Sequence, residues 1–224
     1  MKQLEEKLGY EFKNKELLKN ALTHSSYANE NRAEGIPSNE RLEFLGDSVL
    51  GFVTARHLYD MTPALPEGKM TRVRAELVCE HSLYEVAREL GLGDCLRMGK
   101  GEEKSGGRAR ASILADAVEA VIAAMFLDGG IEPAASFIKR MVLSPESIKA
   151  HHATDYKTEL QELVQQKPGH VLQYKAAGES GPDHDKVFMA EVYLDEKLVG
   201  SASGRTKKEA EQAAACRALE RLSK

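Results

Sequence analysis

An all-α domain followed by a small α+β module is the fold class that the sequence predicts, on three observations. Apolar residues recur at three and four positions through residues 1–143, the period of helices packed on one face. Alternating or β-rich runs occur only after residue 155. Between them SPESIKAHHAT, residues 144–154, has no apolar period and reads as a linker. The domains are accordingly placed at 1–143 and 155–224.

Taken in order, ELLKNALTHSSY, RLEFLGDSVLGFVTARHLY, MTRVRAELVCEHSLYEVARELGL and ASILADAVEAVIAAMFLDGG supply the helices of the first domain. Residues 97–112, RMGKGEEKSGGRARAS, are rich in glycine and charge and read as a mobile loop. In the second domain DYKTELQELVQQK is a short amphipathic helix, and VLQYKAAGES, KVFMAEVYLD and KLVGSASG are strands broken at GPDHD and DEK. TKKEAEQAAACRALERL closes the chain as an alanine-rich helix, with Thr206 and Glu209 spaced as a capping box. The module is thus α-β-β-β-α, and no internal repeat links the two halves.

The 224 residues are 42% hydrophobic and carry a formal charge of −4. Neither part is basic, so overall charge does not disclose a polyanionic partner; local placement of Lys and Arg would have to. Cys79, Cys95 and Cys216 are far apart and odd in number, which argues for reduced, cytoplasmic thiols over a disulfide framework. The opening MKQLEEKLGYEF is charged from its second residue, unlike a secretory signal. The longest apolar segment, ILADAVEAVIAAMFL, contains two acids and is too short to span a membrane.

The acids are the informative feature. On a helix, Glu40, Glu43 and Asp47 fall within about 60° of one another, opposite Leu42, Leu45, Val49, Phe52 and Val53. Alone, this stripe is equally a solvated surface. In the later helix Asp116 and Glu119 share a face flanked by Ala120 and Ala123, small residues that admit a close neighbour. If the two helices pack, four or five carboxylates converge. Their repulsion would be relieved by a divalent cation, and all-oxygen donors without His or Cys favour Mg²⁺, with Mn²⁺ as substitute, over zinc. Such a cation suits phosphoryl chemistry. His24 reads as structural, Ser25 and Ser26 lack a neighbouring base, and His151 and His152 lack ligand spacing.

NERLEFLGDSVLG (39–51) closely resembles the signature of the ribonuclease III family, endonucleases of double-stranded RNA. The resemblance continues through LGYEFKNKELLKNALTHSSY and LADAVEAVIAAMFLDGG, and the tail looks like the double-stranded-RNA-binding domain that follows the nuclease domain in bacterial members. Carried over by position, it makes Glu43, Asp47, Asp116 and Glu119 metal ligands, with Asp47 and Glu119 the most critical catalytically and Glu40 a supporting acid. It further implies a homodimer, products with 5′-phosphates, 3′-hydroxyls and a short 3′ overhang, and processing of rRNA precursors and other transcripts. In the second domain it assigns Thr158, Gln161 and Glu162 to one minor groove, His184 to the next, and Lys207 and Lys208 to the phosphates between. Lys207 and Lys208 also stand in a helical first turn, where the dipole already favours an anion.

Three readings stay open on other residues. Phe44 is a subunit-interface candidate or an edge-of-core residue. Arg97, Lys100, Lys104, Arg108 and Arg110 either solubilise their loop or contact phosphate. A non-catalytic duplex-RNA binder remains the main rival to the nuclease, disfavoured because a binder needs none of the four acids.

Overall fold

Ala111–Gly129 is a helix apolar almost all round, and such a helix must be enclosed. In the computed structural model, which describes residues 1–61, 63–144, 156–165, 169–181 and 186–222, the first unit is built around it. The helices in chain order are α1 (Lys2–Leu8), α2 (Lys15–Ala21), α3 (Ser25–Glu30), α4 (Glu40–Tyr59), α5 (Glu67–Leu77), α6 (Glu80–Leu90), α7 (Leu92–Cys95), α8 (Lys100–Lys104), α9 (Ala111–Gly129) and α10 (Ile131–Met141). Helices α2, α4, α6 and α10 all pack on α9, and Ala117, Val118, Val121, Ile122, Ala123 and Ala124 are fully enclosed.

Two local devices fix this frame. The Asp128 carboxylate, at the end of α9, accepts bonds from Tyr10 Oη and from the backbone N–H groups of Lys13 and Asn14, each at 2.8 Å. It thereby anchors the turn into α2. Asn39, buried at the head of α4, donates its backbone N–H to Thr23 O at 2.8 Å, which ties α4 to the α2–α3 turn.

Three features depart from the sequence reading. The run 70–92 is two helices, not one: Cys79 is extended, with φ −71° and ψ 159°, and α6 restarts at Glu80. No Pro or Gly marks this break; Ser82 Oγ bridges it, donating to Glu76 O at 2.9 Å. Phe52 is 61% exposed, although its period placed it with the core. It lies about 120° round α4 from Gly46, the point of closest approach to α9, and so points away.

Residues 97–112, read as a mobile loop, are instead a built segment containing α8 and a 3₁₀ turn at Gly107–Ala109, and α9 begins by Ala111. Arg97 N–H donates to Leu22 O at 2.7 Å and Arg97 O accepts from His24 N at 3.0 Å, a parallel bridge. The Gly99 N–H donates to Ser26 Oγ, and a Cβ on Gly99 would lie 2.8 Å from Ser26 O. There the glycine serves close packing, which composition alone cannot distinguish from flexibility.

The second unit holds α11 (Tyr156–Gln165), β1 (Leu172–Ser180), β2 (Val187–Leu194), β3 (Lys197–Gly204) and α12 (Lys207–Leu222). The strands form an antiparallel sheet in the order β1-β2-β3, with Tyr174 opposite Val192 and Glu191 opposite Ser201. Asp195 and Glu196, at φ 49° and 68°, make the tight β2–β3 turn that the strand twist prefers. Leu160 and Val164 of α11, Ala190 and Val192 of β2, and Ala210, Ala214 and Ala218 of α12 are the core. Alanines at those α12 positions let the helix lie close on the sheet.

Thr206 Oγ1 accepts from Glu209 N at 3.1 Å, capping α12, while the Glu209 carboxylate reaches back one residue further, to Arg205 N at 2.9 Å. The chain divides into units Met1–Lys149 and Ala150–Lys224. The linker read at 144–154 lies, from 145 on, outside the described residues, as do His151, His152 and His184.

Candidate active site and RNA-binding surface

Gly46 brings the two acidic helices together. A Cβ built there would lie 1.9 Å from Glu119 O and 2.4 Å from Glu119 C, so only hydrogen permits this crossing of α4 and α9. Glu43 and Asp47, on either side of Gly46, are thereby set opposite Asp116 and Glu119. Ala120 and Ala123, beside Glu119 on α9, are fully buried.

The electrostatics follow from that crossing. Glu119 is pushed up from its ordinary 4.5 to about 8, first by burial, then by the charges of Asp47, Asp116 and Glu43. Glu43 is raised by burial, by Asp116 and by Glu40. Asp116 is raised by burial and by Glu80, and lowered by His24. Three of the proposed ligands thus act on Glu119, and Asp116 acts on Glu43 as well. Glu40 stands at the margin, exposed, its carboxylate accepting from Ser38 Oγ at 2.7 Å.

Among the described residues, no group of three or more His, Cys, Asp and Glu side chains is already drawn up to hold a metal ion. The acids are within electrostatic reach rather than in a closed shell. Their chemistry nonetheless fits a hard divalent cation: every donor is a carboxylate oxygen, two of the acids lie on each of two rigid helices, and Glu119 is strongly disfavoured as a lone anion. Asp128, the remaining acid of α9, is engaged by the turn before α2 and takes no part.

Two site neighbours were not assigned there from sequence. Glu80, in the first turn of α6, reaches Asp116 from a third helix. Its only sequence signal is that it follows the cryptic break at Cys79. His24 does have the expected structural role, its Nδ1 accepting from Ser26 N to cap α3, but it also faces Asp116 electrostatically.

The arginines of residues 97–110 each have partners within the first unit, Arg97 and Arg108 partly buried and Arg110 exposed. Arg97 stacks 4.3 Å from the Tyr27 ring centre and donates to Thr23 Oγ1. Arg108 donates to the carbonyls of Gly93 and Leu96, both at 2.8 Å, and pairs with Glu103. Arg110 pairs with Glu102 at 2.6 Å. Of the five basic residues, Lys100 and Lys104 remain as exposed cations without a carboxylate partner among the described residues.

In the second unit Thr158, Gln161 and Glu162 share one face of α11 at i, i+3 and i+4, the first half-buried and the others exposed. Lys207 and Lys208 are exposed in the first turn of α12, as their capping-box context predicts. Tyr174 and Phe188 pack on the core; Tyr193 lies under Lys175, 4.5 Å from the ring centre, with its hydroxyl donating to Glu191.

Comparison with known proteins finds a family match in each unit. Residues 14–146 match the family model described as Ribonuclease-III-like, and residues 156–222 the double-stranded RNA binding motif. The chain is 47% identical over 221 residues to Ribonuclease 3 of Listeria monocytogenes serovar 1/2a, covering 98% of this chain and 96% of that one. It is 53% identical over 218 residues to Ribonuclease 3 of Pelotomaculum thermopropionicum, covering 96% and 90%. Among solved structures, the nuclease domain of Ribonuclease III from Campylobacter jejuni superposes with a TM-score of 0.58 at 43% identity, over 62% of this chain and 94% of that one. A helical nuclease unit with paired acidic helices, followed by an α-β-β-β-α module, therefore places the chain in the ribonuclease III family of double-stranded-RNA endoribonucleases.

Proposed function

We propose that the chain cuts both strands of duplex RNA as a homodimer, with Mg²⁺ held by Glu43, Asp47, Asp116 and Glu119, leaving 5′-phosphate and 3′-hydroxyl ends with a short 3′ overhang. The observation that carries this reading is the α4–α9 crossing at Gly46, which sets two acids from each helix against one another. Mn²⁺ is the expected substitute. When bound, the cation would lower the pKa of water and offset charge on the phosphate. Asp47 and Glu119 are the residues assigned the greatest catalytic weight, because Glu119 is the acid on which the other three converge. Glu40 supports from the margin through its charge on Glu43.

The second unit would supply grip. Thr158, Gln161 and Glu162 suit 2′-hydroxyls in one minor groove, and His184 is assigned to the next. Lys207 and Lys208 suit the phosphates between, over a span of about 16 base pairs read by A-form shape. Its substrates are proposed to include rRNA precursors and other transcripts. Among the described residues no helix is long and apolar enough to cross a membrane, and three unpaired thiols suit the cytoplasm.

A long RNA duplex incubated with the protein should be cut only when Mg²⁺ or Mn²⁺ is present, and end-labelling should find 5′-phosphates. Binding without cutting across a series of divalent cations would favour the non-catalytic reading instead.

The dimer rests on α4. Phe44, Phe52 and Tyr59 are 79%, 61% and 73% exposed, an apolar row that a twofold partner would cover. Phe44→Asp should weaken dimerisation by roughly 30-fold or more, as loss of a buried aromatic anchor does. Sedimentation showing the wild-type assembly would remove Phe44 from the interface.

A further inference from the structure

Lys207 and Glu211 are four residues apart on α12, the spacing at which opposite charges pair across a helical turn. They also line one depression, together with Phe188 and Glu179. Yet Glu211 does not pair with Lys207. Its carboxylate is 2.7 Å from Lys157 Nζ on α11, and that partnership is buttressed by Lys157 N, which donates to Gln212 Oε1 at 3.1 Å. Lys157 Nζ also sits 4.5 Å from the Tyr174 ring centre. Glu179, the other acid of the depression, is 3.6 Å from Lys186. Among the described residues Lys207 has no carboxylate partner, and its ammonium stands 5.9 Å above the Phe188 ring centre.

We infer that Lys157 is a positioning residue for RNA binding: by engaging Glu211 it prevents the i,i+4 ion pair that would neutralise Lys207, and so keeps that cation available to a phosphate. Phe188 supports Lys207 from below with an attraction that leaves its outward N–H groups open. The inference rests on the reading of Lys207 as a phosphate contact. Its physical basis is competition. A carboxylate and a phosphate oxygen seek the same ammonium, and a third group that takes the carboxylate decides the outcome without touching RNA.

Duplex-RNA affinity of the full chain, measured without divalent cation across a salt series, tests this. Lys207→Ala should lower affinity severalfold and flatten the salt dependence by about one unit of slope. Lys157→Met keeps the stem over Tyr174 and should shift affinity and salt slope in the same direction but less, affinity by about twofold, the scale of an exposed i,i+4 pair. It should add nothing in the Lys207→Ala background, and Glu211→Gln should reverse it. Melting temperatures verify that each variant is folded. Additive losses from Lys157→Met and Lys207→Ala, or no rescue by Glu211→Gln, would overturn the positioning role while leaving Lys207 as a contact. An unchanged affinity in Lys207→Ala would overturn the phosphate reading itself, and the inference with it.

Discussion

Gly46→Val is expected to lower stability by about 3 kcal/mol or more, since overpacking at a close helix crossing forces backbone apart. For a chain of this size that is a fall in melting temperature of roughly 6–12 °C. Gly46→Ala is the more telling change. In an exposed helix interior, glycine to alanine gains about 1 kcal/mol of helix propensity. Here the added carbon would lie 1.9 Å from Glu119 O, a backbone atom that cannot rotate aside, so the sign reverses. The same substitution at Gly68 of α5, where a Cβ meets nothing within 4 Å, should leave stability unchanged or slightly raised. Cleavage should suffer beyond the stability loss: a misplacement of about 1 Å between catalytic groups costs on the order of 10²-fold. Thermal melts, with cleavage assayed well below the melting temperature, check both parts. Wild-type stability and rate in Gly46→Ala would show that α4 and α9 do not meet at this residue.

Glu119→Gln should abolish cutting by roughly 10³-fold or more, the scale on which loss of several kcal/mol of charge stabilisation acts, with duplex affinity retained. The same change should have an opposite effect on the fold. Burial and the charges of Asp47, Asp116 and Glu43 push the Glu119 carboxyl to about 8, against an ordinary 4.5. Between those values the folded chain holds a proton that the unfolded chain has released, so stability falls as pH rises through that window. Glutamine removes this slope. Without divalent cation, Glu119→Gln should therefore lose less stability than wild type between pH 5 and pH 8, and Mg²⁺ should raise the wild-type melting temperature more than that of the variant. Equal cutting by the variant would defeat the catalytic assignment; parallel pH profiles would defeat the electrostatic one.

The acids themselves were readable because their spacing is local. Glu43 with Asp47, and Asp116 with Glu119, share faces by helical geometry alone, and Ala120 and Ala123 marked one face as a contact. Glu80 was not assigned to the site, because it belongs to a third helix whose start carries no Gly or Pro, and only packing against α9 brings it to Asp116. The segment 97–112 misled for a related reason. Glycine composition signals either mobility or close approach, and the hydrogen bonds that decide between them go to residues more than seventy positions away, at Leu22, His24 and Ser26. Of the arginines of that segment, Arg97 and Arg108 are committed to partners at Thr23, Gly93 and Leu96, whereas Arg110 pairs with Glu102 at an exposed position.

By itself the sequence determined the two-part order of an all-helical domain followed by α-β-β-β-α, the capping of the last helix and the spacing of the acids along their two helices, since all of these depend on neighbours within about one turn or one strand. Tertiary structure alone decided which faces meet: that Gly46 lies on Glu119, that Phe52 faces outward, that Glu211 is held by Lys157 rather than by Lys207. Those outcomes are competitions between partners distant in the chain, settled by which contacts the packed core leaves within reach.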